Sequence, residues 1–124
     1  MKEQNSLTKP TTGVGTIVFD LESNGLLNNA SRIHCMALHY CDTDTTETYN
    51  DEKISTNAKY LPMGNRSITT AITTLEVAET VVGHNIIGFD LPLIKRLYPF
   101  FTYPPVIVDT LLLSRLYHPN LYDI

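Results

Sequence analysis

Apolar and polar positions fall into short blocks, divided by turn-forming residues, and the blocks switch between two periods. Residues 16–21 are β-branched, aromatic and aliphatic up to Asp20, with Gly13 and Gly15 before them and Ser23-Asn24-Gly25 after, which predicts a mostly buried strand. Residues 32–40 and 47–50 predict two further strands, and the polar turn Asp42-Thr43-Asp44-Thr45 between them signals a hairpin. Residues 51–65 have no period and end in Pro62, Gly64 and Asn65, so a loop is expected there. Ser67 is placed to cap a helix over 68–78, with Ile68, Ala71, Ile72, Leu75 and Ala78 on one face. Its threonines lower helix propensity, so packing must stabilise it. Residues 80–83 predict a short buried strand, followed by a helix from about Asn85 through Leu97 that Pro99 stops. Pro104 and Pro105 feed an apolar run, 106–108, and Asp109 suits the cap of a helix over 110–117. The stripes Leu91, Ile94, Leu97 and Leu111, Leu112, Leu116 are expected in the core. Three strands followed by alternating helices and strands predict an α/β sheet that begins antiparallel and finishes with parallel crossovers.

Composition narrows this picture. With 124 residues and 43% apolar content the chain is expected to form one domain, 16–124, after a polar leader, 1–15, that lacks the apolar stretch of a secretory signal. No apolar run reaches the ~18 residues that span a bilayer, so no membrane association is expected. A net charge of −4 argues against a broad basic clamp on nucleic acid. It is compatible with an acidic site whose carboxylates bind cations. Cys35 and Cys41 are too few for a disulfide scaffold and fit a reduced compartment.

Candidate chemistry starts at the end of the first strand. Asp20 and Glu22 stand at i, i+2, so on a strand both project to one side, about 6 to 7 Å apart, while Leu21 points the other way. Two carboxylates converging there suit Mg²⁺ or Mn²⁺ better than zinc, although such a pair also opens many solvated turns. The segment Gly83-His84-Asn85-Ile86-Ile87-Gly88-Phe89-Asp90 follows a predicted strand and runs into a helix, the place where α/β sheets present ligands. Asp90 there would be a third carboxylate facing the pair. Asn85 suits a nucleic-acid contact or, more simply, a helix cap.

Other residues have plainer readings. Cys35, His39 and Cys41 would be spread over ~20 Å of strand, too far for one tetrahedral zinc. His84 reads as a loop hydrogen-bonder, and His118 suits a helix terminus. Lys95 and Arg96 read as exposed helix charges, with contact to DNA as the sharper alternative. Tyr98, Phe100, Phe101 and Tyr103 read as loop packing around Pro99 and Pro104, with base stacking as the alternative.

The segments FDLESNGLL, RIHCMAL, GHNIIGFDLPLIKRL and VDTLLLSRLYHPNL resemble the 3′–5′ proofreading exonuclease domain of family A DNA polymerases, of the type found in T-odd bacteriophages. The likeness covers about residues 17–121. It implies a ribonuclease H-like mixed sheet flanked by helices, with Asp20 and Glu22 as the first exonuclease motif and Asp90 as the second. Asp109-Thr110-Leu111 would begin a helix without binding metal. Leu26 would be an apolar wedge against the terminal base, and Asn85 and Ser23 would contact the strand. The implied chemistry is two-metal hydrolysis at the 3′ end of single-stranded DNA, with one Mg²⁺ or Mn²⁺ held by Asp20 and Glu22 and a second shared by Asp20 and the neighbourhood of Asp90. Family B polymerases share an Asn-x-x-x-Phe-Asp second motif, so residues 109–116 carry the preference for family A. The implied location is the cytoplasm of a bacterial host.

The likeness also implies a fourth carboxylate, in a later Tyr-x-x-x-Asp or His-x-x-x-Asp motif. Only 34 residues follow Asp90, and Tyr122-Asp123 lacks that spacing. The expectation is therefore an amino-terminal piece of such a domain, completed by the remainder of the polymerase or by a complementing chain, with no polymerase activity of its own. Two alternatives stay open: a non-catalytic ribonuclease H-like module that needs a second polypeptide, and a small free-standing exoribonuclease of the same fold.

Overall fold

The computed structural model describes residues 14–51 and 67–119. The expected leader, apart from Val14 and Gly15, and the expected loop, apart from Asp51, lie outside the described residues. Among the described residues no helix is long and apolar enough to cross a membrane.

Five strands form one mixed sheet: β1 Val14–Ser23, β2 Ile33–Tyr40, β3 Thr45–Tyr49, β4 Ala78–Gly83 and β5 Val106–Asp109, in the order β3-β2-β1-β4-β5. The first three pair antiparallel, and β4 and β5 run parallel to β1. This is the α/β, ribonuclease H-like arrangement expected from the sequence. β1 begins at Val14 rather than at residue 16, because its first residue already pairs with Ala78.

The residues explain the elements. Ile17, Phe19 and Leu21 alternate with Val18, Asp20 and Glu22, so β1 buries one face and exposes the other. The buried face is covered by α1 Ile68–Glu76 and α2 Leu91–Leu97. Ser67 Oγ caps α1 by accepting from the Thr70 N–H at 3.2 Å, and Asp51 Oδ1 accepts from the Ile68 N–H at 2.9 Å. Thr73 and Thr74 turn their hydroxyls back to the Thr70 carbonyl, so burial of Ile68, Ala71, Ile72 and Leu75 must carry the helix. The helix ends at Glu76, two residues before the expected 78, because Ala78 is already strand.

Two expectations need correction. The helix expected from Asn85 begins instead as one π-helical turn, Ile86–Asp90, in which the Leu91 N–H reaches back to the Ile86 carbonyl. Only then does α2 start, with Pro92 in its first turn. The stripe Leu111, Leu112, Leu116 on α3 Thr110–Tyr117 is not core: α3 has no buried residue, and Leu116 is 75% exposed. An apolar stripe is buried only where another element faces it, and among the described residues none does.

The candidate functional site

The site is built where β1 outruns β4. Parallel pairing between them ends at Val18 with Val82, so Asp20 to Ser23 stand beyond the carboxyl end of β4, beside the segment that follows it. That segment crosses β1 closely. A Cβ at Gly83 would lie 2.4 Å from Ile86 Cγ2 and 2.9 Å from the Phe19 carbonyl oxygen, so only glycine permits the crossing. Asn85 then adopts left-handed backbone at φ 60°, and the π turn delivers Asp90.

Asp20 and Glu22 lie on the same, exposed face of β1, opposite Ala37 and Cys35 of β2. Asp90 is 4% exposed, and the backbone N–H groups of Asp90 and Leu21 favour its charged form only weakly. Burial, then the charge of Asp20, push the Asp90 pKa up to about 7, with a smaller contribution from Asp109. Of the three carboxylates named from the sequence, Asp20 and Asp90 interact at one end of the sheet, while Glu22 shares the exposed face of β1 with Asp20. Among the described residues, no three His, Cys, Asp or Glu side chains gather into a ready metal cage. The donor chemistry nonetheless fits a hard cation: a buried carboxyl made costly to ionise by a neighbouring carboxylate is relieved by positive charge.

Asp109 does more than the capping expected of it. One oxygen accepts from the Leu111 N–H at 2.9 Å, capping α3, and also from the Asn85 N–H at 2.8 Å; the other accepts from the Ile87 N–H at 2.9 Å. Burial alone would raise its pKa, yet backbone donors Ile87, Asn85, Leu111 and Leu112 outweigh it and hold the group below the usual carboxylate range. One carboxylate thus ties the end of β5 to the strained Asn85 turn. Thr110 adds a hydroxyl bond to the Gly83 carbonyl, and His84 Nδ1 sits 2.9 Å from the same hydroxyl, the loop role expected of it. The helix-cap reading of Asn85 is corrected: its side chain makes no capping bond and is exposed, with Oδ1 2.6 Å from where a Cβ on Gly88 would stand.

Of the remaining named residues, Ser23 ends β1 and Leu26 lies on the loop that follows it. Ser23 Oγ donates to the Gly25 carbonyl at 2.8 Å, and Leu26 is 74% exposed. Lys95 and Arg96 are not free charges. Lys95 Nζ donates to the Pro99 and Phe101 carbonyls at 2.9 and 2.8 Å, and Arg96 donates to the Leu27 and Ala30 carbonyls. The aromatic cluster packs as loop: Tyr98 and Phe100 meet edge to face at 6.0 Å, and Phe101 is buried. His39 lies 2.8 Å from the Thr46 hydroxyl and 3.4 Å from Asp44, with no cysteine in its bonding. The bonds of Asp109 to Asn85 and Ile87 and those of Arg96 were not visible in the sequence, since the partners are far along the chain and carry no motif of their own.

The sequence matches no protein-family model and no curated protein. Among solved structures the chain is similar to the family B DNA polymerase from the hyperthermophilic archaeon Pyrobaculum calidifontis, at 18% identity and a TM-score of 0.47. The match covers 72% of this chain and 11% of that one.

Proposed function

We propose that the chain is the Mg²⁺-dependent 3′–5′ proofreading exonuclease portion of a phage DNA polymerase of family A, acting on the 3′ end of single-stranded DNA in the bacterial cytoplasm. The observation that supports it most is Asp90, buried beside Asp20 at the carboxyl ends of the central parallel strands. Asp20, Glu22 and Asp90 would hold two Mg²⁺ or Mn²⁺ ions, which when bound supply charge neutralisation at the attacking and leaving oxygens. The chain's own residues do the rest. Leu26 offers an apolar surface to the terminal base, and Asn85 and Ser23 offer polar groups to the strand. Asp90 has to be ionised to serve, which burial and Asp20 oppose until a cation arrives. The preference for family A rests on residues 109–116, because the Asn85 to Asp90 motif is common to both polymerase families.

A second reading is favoured by the lack of a three-carboxylate cage among the described residues. It makes the chain a non-catalytic ribonuclease H-like module that a second polypeptide completes.

The test is Mg²⁺-dependent digestion of single-stranded DNA by the wild type and by Asp20→Ala. The expected rate loss is at least about a hundredfold, the scale of removing one preorganised electrostatic group, with no loss of melting temperature, because Asp20 is exposed and its charge opposes that of Asp90. Undiminished digestion sinks the exonuclease reading. Titration calorimetry with Mg²⁺ and Mn²⁺ separates the two readings: no uptake at millimolar concentration favours the non-catalytic module.

A further inference from the structure

The loop between β1 and β2 is tightly held, yet the side chain at its tip serves no packing. Asn24 closes the base of the loop: its N–H donates to the Arg32 carbonyl at 3.2 Å, and its Oδ1 accepts from the Ser31 and Arg32 N–H groups at 2.9 and 3.2 Å. Inside it, the Leu26 carbonyl accepts from the Asn29 and Ala30 N–H groups at 3.0 and 2.7 Å. Ala30 is buried and Leu27 packs on the core, so the loop is anchored on both sides of Leu26. Leu26 itself is 74% exposed. This order costs conformational entropy, and it holds an apolar side chain in water.

The tie between this loop and the rest of the site is Arg96. From α2, its Nε donates to the Leu27 carbonyl at 3.1 Å, and its Nη2 donates to the Ala30 carbonyl. These two carbonyls lie inside and at the end of the turn that Leu26 begins. The planar guanidinium fork spans both acceptors at once, which an ammonium on a flexible stem does not do in one fixed geometry. α2 continues directly from Asp90. Arg96 therefore fixes the Leu26 loop to the short helix that follows directly on the second carboxylate motif. Its partners lie 66 and 69 residues earlier in the chain, so this is a tertiary link between the two motifs.

We propose that Arg96 is a positioning residue for the DNA strand end: it touches no DNA, but sets where Leu26 stands relative to Asp90. The proposal rests on the exonuclease reading and deepens it. Lys95, which ties α2 to the carbonyls of Pro99 and Phe101, faces other partners and serves as the control.

The experiment is a double-mutant cycle in the 124-residue chain with Arg96→Gln, Leu26→Ala and the pair combined, plus Arg96→Lys and Lys95→Gln. The probe is a short 5′-labelled single-stranded oligodeoxynucleotide, followed by fluorescence anisotropy and, with Mg²⁺, by digestion. Arg96→Gln and Leu26→Ala should each weaken binding about tenfold, equivalent to about 1.4 kcal/mol. The double variant should be no weaker than Leu26→Ala alone, since Arg96 acts only through Leu26. Arg96→Lys should recover little, and Lys95→Gln should leave affinity unchanged. A merely structural Arg96 would move the melting temperature without this non-additivity. Multiplicative losses, or full affinity in a folded Arg96→Gln or Arg96→Lys protein, overturn the proposal while leaving the exonuclease reading intact. A folded wild type that neither binds nor digests the oligonucleotide overturns both.

Discussion

Asp90 is a carboxyl group held where its charge is costly, and that cost sets a pH dependence. Its pKa is raised from an ordinary 3.8 to about 7 in the folded chain. Between those values the folded state keeps a proton that the unfolded state has lost, so stability falls as pH rises through this window and levels off above about 7. The expected contribution is on the order of a few kcal/mol across the window. Melting curves from acid to mildly alkaline pH in chelator should show it. Asp90→Asn should flatten that slope, because the amide cannot ionise, and so should saturating Mg²⁺, because a cation favours the charged form. A slope that survives in Asp90→Asn would place the titration elsewhere. Asn85 gives a second test at this scale. Its left-handed backbone suits glycine and its side chain makes no cap, so Asn85→Gly should be neutral or more stable by up to about 1 kcal/mol. The same variant should bind single-stranded oligonucleotide more weakly if the exposed amide contacts the strand. Stability lost together with binding would give Asn85 a structural role instead.

At the level of elements, Asp109 is where a cap becomes a joint. Asp109→Ala removes the acceptor for the Asn85, Ile87 and Leu111 N–H groups at a position only 4% exposed. The expected destabilisation is about 2–4 kcal/mol, more than the loss of an exposed cap alone. Urea unfolding measures it, and a loss under about 0.5 kcal/mol would mean that water replaces the carboxylate. Asp109 also shows what the sequence makes legible. Its place after an apolar run and before a helical stripe announces the α3 cap, and Ser67 announces that of α1 in the same way. Its bonds to Asn85 and Ile87 span 24 and 22 residues, and no local period encodes them. The π turn was hidden for a related reason. Residues 85–97 read as one helix by period, whereas the close crossing at Gly83 and the delivery of Asp90 toward β1 are decided by tertiary packing. The shared face of Asp20 and Glu22 was legible because strand alternation places them by local geometry, and the position of Asp90 after β4 was legible from the strand-to-helix junction, its approach to β1 not. Arg96 was not, because its carbonyl partners carry no side-chain signature.

For the molecule as a whole, the sheet has two unequal faces. The inner one is sealed by α1 and α2, with Ile17, Phe19, Leu38, Ile72, Leu75, Leu91 and Ile94 fully buried or nearly so. The outer one carries Val18 beside Val82, Val82 beside Val108, and the carboxylates of β1. Among the described residues α3 does not join the core: Leu111 is half-buried, and Leu112, Leu113 and Leu116 are exposed. Periodicity alone places Leu91 and Leu116 in the same class, since a stripe records which residues could be buried together and says nothing of what faces them. The structure separates them, and stability measurements should do the same. Leu91→Ala, which empties a fully buried site, should cost about 2–5 kcal/mol in urea unfolding. Leu116→Gln, at 75% exposure, should stay within about 0.5 kcal/mol of wild type. A loss at Leu116 comparable to that at Leu91 would mean that α3 is packed in solution. In that event the one-sided core would no longer describe the folded chain.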